Sequence, residues 1–310
     1  MKFTVTYPLI SHDSADEFMA RDAILRFTRA AETAGFDGIV FTDHPAPSDR
    51  WLHHGGHDAL DPFAALAFCA AVTERIRLIP NIVVLPYRNP FLTAKSIATL
   101  DLLSAGRFTL ATAIGYLRPE FAALGVDFDR RGAQFDEAIA AMKGIWSTDD
   151  FEFTGEGFYA RGNTANPKPG QQPHPPIWIG GNSQRARQRV AEQGQGWIPF
   201  PANQTLSKTA RTVPLETLED LRVGLEDLWR RLEAVGRERS EVDVHFACHA
   251  GGTPGSSSFD AAAHSAGPAE LESLGVGWVG IGVPARSVEA SIEALQRYGE
   301  DVIAPSRHSS

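Results

Sequence analysis

Residues 3–42, FTVTYPLISHDSADEFMARDAILRFTRAAETAGFDGIVFT, hold one strand–helix–strand unit and decide the fold class. Residues 3–8 and 36–42 have the β-branched and aromatic content of buried strands. Between them, Ser14 followed by Glu17 predicts a capping box that opens a helix, and Gly35 is a typical helix stop. The stretch therefore predicts two parallel strands joined by a crossover helix.

The same alternation continues to the end of the chain. Further strands are predicted at 76–84, 107–114, 177–179, 197–198, 242–247 and 278–281. Asp61 and Asn89, each followed by proline, predict helix starts. Eight strands in about 300 residues predict an α/β fold of the (β/α)8 TIM-barrel type.

The segment after the fourth strand departs from the alternation. We interpret residues 115–131 as a polar loop that leads to a helix over 134–146. An aromatic stretch at 151–159 predicts a hairpin, and a proline-rich segment follows at 166–176, so we expect an insertion after strand four. Residues 1–304 are predicted to form a single domain and 305–310 a flexible tail.

Composition excludes several classes of function. The 310 residues are 43% apolar and 22% charged, and 38 acidic residues outnumber 29 basic ones, so no electrostatic footprint for nucleic acid is expected. No apolar run approaches the roughly 20 residues of a membrane span, and no signal peptide is expected at Met1. Two distant cysteines argue against a disulfide framework, so we expect a cytoplasmic protein.

In a barrel of this type, reactive groups lie at the carboxyl ends of the strands. Asp43 and His44 follow strand two directly and are a candidate pair for the barrel mouth. A neighbouring carboxylate can fix the tautomer of a histidine near neutral pH. The alternative is that the pair only caps the following loop.

The stretch from Gly180 to Ser183 lies between a predicted strand and a helix that starts near Gln184. Free backbone N–H groups and the partial positive charge of a helix N-terminus attract anions, so a phosphate is the expected ligand. The alternative is an ordinary tight turn in which Asn182 or Ser183 caps the helix.

Other catalytic motifs are weak or missing. The run His53-His54-Gly55-Gly56-His57 could suggest a metal, but adjacent histidines usually point in different directions. We interpret the run as a solvated loop near the barrel mouth, without a metal. Neither G-x-S-x-G nor a strand-linked G-x-G-x-x-G is present, so serine hydrolase and Rossmann dehydrogenase functions are not supported.

Several segments, taken in order, resemble the bacterial luciferase-like flavin and deazaflavin oxidoreductases. The segments are AGFD (34–37) leading to Asp43-His44, TERIRL (73–78) leading through NIVVLP (81–86) to RNP (88–90), LSAGR (103–107), and PPIWIGGNS (175–183) followed by Gly196-Trp197. The resemblance covers residues 1 to 300. It implies a barrel, usually in a homodimer, that binds a flavin-type ring in its mouth together with a small organic substrate.

The resemblance implies coenzyme F-420, an 8-hydroxy-5-deazaflavin, as the cofactor, or FMN as the alternative. Asp43 and His44 would lie against the polar edge of the ring, and Gly180, Gly181, Asn182 and Ser183 would hold the phosphate. A non-prolyl cis peptide between Asn81 and Ile82 would support the back of the ring.

Two further positions follow from the resemblance. Gly115 would leave room for the cofactor's side chain. Tyr116 stands where sugar-phosphate dehydrogenases of the family carry a glutamate, which argues against sugar-phosphate oxidation. A phenol there can act as a general acid, so Tyr116, with His44, is a catalytic candidate. The alternative is that Tyr116 only fills the pocket wall. The segment 43–60 would form a loop on the substrate side, with Trp51 and the histidines of the loop facing an organic substrate.

Three functions remain open from the sequence. The first is hydride transfer between F-420 and a small organic substrate, with His44 orienting or polarising the cofactor. The second is an FMNH2-dependent monooxygenase that uses oxygen. The third is a non-catalytic cofactor-binding protein.

Overall fold

The structure, a computed structural model, describes residues 1–9 and 15–308. Its strands are β1 (Lys2–Thr6), β2 (Gly38–Phe41), β3 (Arg77–Pro80), β4 (Val83–Val84), β5 (Leu110–Ala113), β6 (Phe151–Gly155), β7 (Phe158–Asn163), β8 (Ile177–Gly180), β9 (Gly196–Ile198), β10 (Asp243–Ala247) and β11 (Trp278–Ile281). Its helices are α1 (Ala15–Phe18), α2 (Arg21–Thr33), α3 (Asp49–Leu52), α4 (Pro62–Ala70), α5 (Pro90–Leu103), α6 (Arg118–Ala123), α7 (Arg131–Ser147), α8 (Gln184–Gln193), α9 (Gln204–Thr209), α10 (Leu218–Ala234), α11 (Ala261–Ser273), α12 (Val288–Tyr298) and α13 (Ala304–His308).

The strands outside the hairpin form one parallel sheet that curls into a barrel. Its order is β3-β2-β1-β11-β10-β9-β8-β5-β4. Strands β3 and β4 are two pieces of the third barrel strand, and a parallel bridge between Leu78 and Phe108 joins β3 to the segment before β5. The ring thus has eight positions, and the predicted α/β barrel is confirmed.

The insertion is an antiparallel hairpin of β6 and β7 that follows α7. Phe153 pairs with Ala160, and the ring of Phe153 also stacks on that of Phe158 with centroids 5.8 Å apart. These aromatic contacts explain why the predicted hairpin forms although glycines interrupt its sequence.

Buried side chains fill the lower part of the barrel. Trp178 and Trp278 pack edge to face with ring centroids 5.2 Å apart, beside Val40 and Ile79. The imidazole Nε2 of His245 lies 2.8 Å from the hydroxyl of Thr4 within this layer. The packed layer fills the interior of the barrel below the carboxyl ends of the strands.

The first crossover differs from its prediction. The proposed cap Ser14 lies outside the described residues, and the chain forms two helices, α1 and α2, because Ala20 has an extended backbone (φ −72°, ψ 140°). The carboxylate of Glu17 accepts a hydrogen bond from the N–H of Val288 and so caps α12.

Several short helices were not predicted, among them α3, α6 and α9. The segment interpreted as a polar loop, 115–131, contains α6, and α7 begins at Arg131 rather than near 134. The expected flexible tail contains α13, whose Arg307 donates hydrogen bonds to Gly35 O (2.6 Å) and Asp37 (3.1 Å). No helix within the described residues is both long and apolar enough to cross a membrane.

Candidate active site

A cavity of about 400 Å³ opens at the carboxyl ends of the barrel strands. Nine of the ten predicted site residues line it: Asp43, His44, Asn81, Ile82, Gly115, Tyr116, Gly180, Gly181 and Ser183. They come from the ends of four barrel strands, so the fold brings together residues that are up to 140 positions apart in sequence. The volume is within the range of small-molecule sites.

His44 is paired with a carboxylate that the sequence interpretation missed. Its Nδ1 lies 3.2 Å from Oε2 of Glu120, which is fully buried in the first turn of α6. A carboxylate accepts only, so this contact places the imidazole proton on Nδ1 and leaves Nε2 as a hydrogen-bond acceptor. The arrangement gives the cavity a positioned proton acceptor.

Glu120 is held by two further donors. The hydroxyl of Tyr87 donates to Oε2 (2.8 Å), and the N–H of Ala46 donates to Oε1 (3.0 Å). Burial alone would raise the pKa of Glu120, but the hydrogen bonds from His44, Ala46 and Tyr87 outweigh burial and lower it. Glu120 is therefore an anion at neutral pH.

One assignment from the sequence is corrected here. Glu120, rather than the adjacent Asp43, is the carboxylate that contacts His44 and fixes its tautomer. Tyr116 lines the cavity, and Glu120 lies four residues later on α6.

Asp43 instead fixes the backbone around the cavity. Its buried carboxylate accepts two hydrogen bonds from Arg88 (2.6 and 2.7 Å) and one from the N–H of Val84 (3.0 Å). These contacts tie the end of β2 to β4 and to the start of α5. The oxygens of Asp43 are thus engaged with the protein itself.

Aromatic side chains surround His44. Its ring centroid lies 4.4 Å from Trp51, 5.1 Å from His57 and 6.2 Å from Tyr116. Burial and the charge of Glu120 raise the pKa of Tyr116 to about 12, so its phenol is neutral and can donate a proton. Burial lowers the pKa of His57. This wall suits an organic substrate.

The third barrel strand provides the back of the cavity. The peptide bond between Asn81 and Ile82 is cis, as the resemblance predicted. Gly115 also lines the cavity. Its φ is +75°, and a Cβ there would lie 2.5 Å from Cγ1 of Val84, so protein packing by itself requires glycine at this position. That Gly115 leaves room for a cofactor side chain stays a prediction.

The glycine turn lies at the end of β8, three barrel positions from the strand that carries His44. Gly181 has a φ of +110°. The hydroxyl of Ser183 accepts a hydrogen bond from Ala186 N (3.2 Å) and caps α8, while its own proton can be donated to a ligand. Arg211 also lines this end of the cavity, so a cation accompanies the helix N-terminus.

Asn182 has a positioning role in this turn. Its buried amide donates to Phe200 O and Val213 O, both at 3.0 Å, and accepts from Phe200 N at 3.1 Å. The side chain thus joins the glycine turn to the two loops that follow β9 and α9. This places the loop that carries Arg211 beside the turn.

The histidine run after α3 diverges as expected. The Nδ1 atoms of His53 and His54 contact backbone carbonyls one turn earlier, at 2.9 and 2.6 Å, whereas His57 lines the cavity. Within the described part of the chain, no group of three His, Cys, Asp or Glu side chains could hold a metal ion. His57 thus lies at the barrel mouth, as expected for a histidine of the substrate-side loop.

The cavity fits a flat ring with a phosphate. Its back and floor are apolar, with Ile82, Ile179 and Ile198 among the lining residues. A Cβ on Gly180 would lie 3.3 Å from Ile82 and 3.4 Å from Ala113, so a larger residue there would occupy part of the cavity floor. Donors for an anion lie at the glycine turn, and polar groups for a heteroaromatic edge lie at His44 and Asn81.

The sequence interpretation missed two residues of this candidate site, Glu120 and Arg211. Proline at 119 is typical of the first turn of a helix, and this was the available signal for a short helix that carries Glu120. Arg211 carried no such signal, because it reaches the cavity from a loop 30 residues after the glycine turn.

The chain was compared with known families and relatives. The family model described as luciferase-like monooxygenase matches residues 3–251. The chain is 38% identical over 130 residues to the FMNH2-dependent dimethylsulfone monooxygenase of Pseudomonas putida, which covers 41% of this chain and 35% of that protein. It is 34% identical over 189 residues to the F-420-dependent glucose-6-phosphate dehydrogenase of Beutenbergia cavernae, which covers 60% of this chain and 54% of that protein.

Among solved structures, the monooxygenase RslO1 of Streptomyces bottropensis is similar in fold. It has a TM-score of 0.82 at 21% identity and covers 99% of this chain and 100% of its own. The chain thus spans 35% and 54% of the two curated relatives and matches the solved fold over its whole length. The family model covers well over half of the sequence, and so the chain belongs to the luciferase-like monooxygenase family.

Proposed function

We propose that the protein is an oxidoreductase that transfers a hydride between coenzyme F-420 and a small organic substrate. The observation that carries the proposal is the buried pair of His44 and Glu120, which holds an imidazole acceptor at the cavity. Hydride transfer to or from a carbon that bears oxygen needs a partner that takes or gives a proton. His44 and Glu120 match that need.

The deazaflavin supplies the hydride acceptor or donor at carbon 5 of its ring. In the oxidative direction, the substrate O–H proton passes to Nε2 of His44, and the substrate C–H bond breaks as its hydride leaves. Glu120 stabilises the imidazolium that forms, because its carboxylate is anionic and buried. In the reductive direction, the same imidazolium returns the proton to oxygen.

Tyr116 is the second proposed catalytic residue. Its neutral phenol lines the cavity beside His44 and can hydrogen-bond to the substrate oxygen. Trp51 and His57 would form the remaining wall against the organic part of the substrate.

The other end of the cavity is proposed to hold the cofactor's phosphate. Gly180, Gly181 and Ser183 would present backbone and hydroxyl donors at the start of α8, with Asn182 bracing the turn. Asn81 and Ile82 would support the back of the ring, and Asp43 would act through the backbone that it fixes. We also propose that the protein forms a homodimer and that it acts in the cytoplasm.

An FMNH2-dependent monooxygenase is the second candidate. The 38% identity to a protein of that name favours it over a part of the chain. A non-catalytic cofactor-binding protein is the third, and it predicts binding without turnover.

The test uses absorbance of the deazaflavin under anaerobic conditions. Purified protein is mixed with oxidised F-420 and a panel of primary and secondary alcohols, and with reduced F-420 and the matching carbonyl compounds. We expect turnover without oxygen, and His44→Ala should lower it by about 10- to 1,000-fold. His54→Ala, on the exposed part of the same loop, is the control and should leave turnover unchanged.

Parallel reactions with FMNH2 and oxygen address the second candidate. Turnover only in these reactions would overturn the assignment of F-420. Tight binding of F-420 without turnover of any panel member would support the third candidate instead.

A further inference from the structure

Three guanidinium groups surround one phenyl ring beside the glycine end of the cavity. The Cζ atoms of Arg131, Arg118 and Arg211 lie 3.9, 4.3 and 5.1 Å from the ring centroid of Phe128, which is buried. The three arginines come from α7, α6 and the loop after α9. We call these three residues the arginine cluster.

The arginine cluster carries more positive charge than its surroundings neutralise. Asp129 pairs with Arg118 at 2.6 Å. Among residues 1–9 and 15–308, neither Arg131 nor Arg211 forms an ion pair. Arg131 donates one hydrogen bond to Phe128 O, and its buried Nε is without a partner. A buried donor without a partner is costly, which points to a ligand that supplies the acceptor.

Neighbouring charges agree with this imbalance. Burial first, and then the charges of Arg211 and Arg118, lower the pKa of Arg131, against the opposing effect of Asp129. Asp127 is engaged in capping the turn at Asp129 N (2.9 Å), and Arg130 is paired with Glu156 (2.7 Å). The N-terminus of the 17-residue helix α7 begins at Arg131 and adds positive potential.

The cluster is continuous with the proposed phosphate end. Arg211 itself lines the cavity together with Gly181 and Ser183. The next residue, Thr212, accepts a hydrogen bond from Asn182 N at 3.3 Å, which fixes the arginine's loop to the glycine turn. An anionic chain that leaves the phosphate position therefore meets Arg211 first and can then reach Arg131 and Arg118.

We propose that the arginine cluster is a subsite for a chain of carboxylates that continues from the cofactor's phosphate. This inference rests on the proposed function, since coenzyme F-420 carries a tail of glutamates beyond its phosphate whereas FMN ends there. Guanidinium groups bind carboxylates through paired hydrogen bonds, and Phe128 orients the guanidinium planes. The cluster thus selects the longer, more anionic cofactor.

The test measures binding by fluorescence of the deazaflavin at two salt concentrations. Three ligands are compared: F-420 with its glutamates, the same cofactor without glutamates, and the ring with its phosphate-free ribityl chain. The variants are Arg131→Gln and the double variant Arg118→Gln/Arg131→Gln. Arg161→Gln is the matched control, because Arg161 also lies over an aromatic ring, that of Tyr159 (5.3 Å), but on the hairpin.

We expect wild type to bind intact F-420 about tenfold more tightly than the glutamate-free form, with the difference reduced by salt. The double variant should lose this difference and bind the glutamate-free form as wild type does, and Arg161→Gln should change neither. Equal affinity of wild type for the two forms, or equal loss for both in the double variant, would overturn the inference while leaving the proposed function intact. Failure of all three ligands to bind would overturn both.

Discussion

Replacing Glu120 by glutamine is expected to invert the tautomer of His44. The glutamine oxygen can keep the hydrogen bond from Ala46, which places the amide nitrogen where Oε2 now accepts from His44 and Tyr87. An amide N–H donates, so Nδ1 must become an acceptor and the proton moves to Nε2. The imidazole then presents a donor to the cavity and no longer acts as a base.

The size of the effect follows from the hydrogen bond that is lost. A hydrogen bond to a charged group contributes about 1.5–3 kcal/mol, which corresponds to a change in the tautomer ratio of roughly 10- to 150-fold. Turnover should fall by about the same factor. Glu120 is fully buried, so its replacement could also affect folding. Urea unfolding of Glu120→Gln is therefore measured together with turnover to establish that the variant folds.

The assay is nitrogen NMR of protein labelled with ¹⁵N-histidine, with the His44 signals assigned from a His44→Gln spectrum. Wild type should show a protonated Nδ1, and Glu120→Gln a protonated Nε2. Tyr87→Phe removes one donor to Glu120 but keeps the carboxylate, so its His44 tautomer should match wild type. A protonated Nδ1 in Glu120→Gln would refute the reasoning.

Three further predictions concern stability. Asp43→Asn should lower the free energy of unfolding by about 3 kcal/mol, because it breaks a buried ion pair with Arg88. Asp61 is exposed, so Asp61→Asn should lower the free energy of unfolding by less than about 1 kcal/mol. Urea midpoints of the two variants test this difference. Gly115→Ala should destabilise by about 2 kcal/mol more than Gly157→Ala, since both have φ near +75° but a Cβ has open space only at Gly157; equal midpoints would contradict this. Burial lowers the pKa of His245 to about 4. As the pH falls, the unfolded chain therefore binds a proton at this histidine before the folded chain does, and the free energy of unfolding should fall by about 3 kcal/mol between pH 6.5 and 4. The urea midpoint of His245→Asn should vary less than that of wild type over that interval.

The barrel was predictable because its strands have a clear sequence pattern. Residues 36–42 and 177–179 are short apolar runs bounded by turn residues, and the structure places strands within both. The short helix α6 was not predictable from periodicity, since six residues show less than two turns of a pattern. Missing α6 also removed Glu120 from the predicted site.

The candidate site was predictable where residues follow strands directly. His44 and Gly181 lie one to three residues after β2 and β8, and the barrel rule alone brings them to the same mouth. The carboxylate that His44 contacts depends on tertiary packing. Adjacency in sequence favoured Asp43, but in the structure Asp43 pairs with Arg88 and His44 contacts Glu120. Arg211 lines the cavity from a loop that a hydrogen bond between Asn182 and Thr212 joins to the glycine turn, and no local sequence pattern indicates that contact.

The most direct test of the central claim is difference density from a crystal of this protein soaked with coenzyme F-420. The account predicts the tricyclic ring in the barrel mouth, with its back on Ile82, its polar edge toward His44, and its phosphate at Gly181 and Ser183. A barrel mouth without ring density at saturating cofactor, or a phosphate bound away from the glycine turn, would contradict the account.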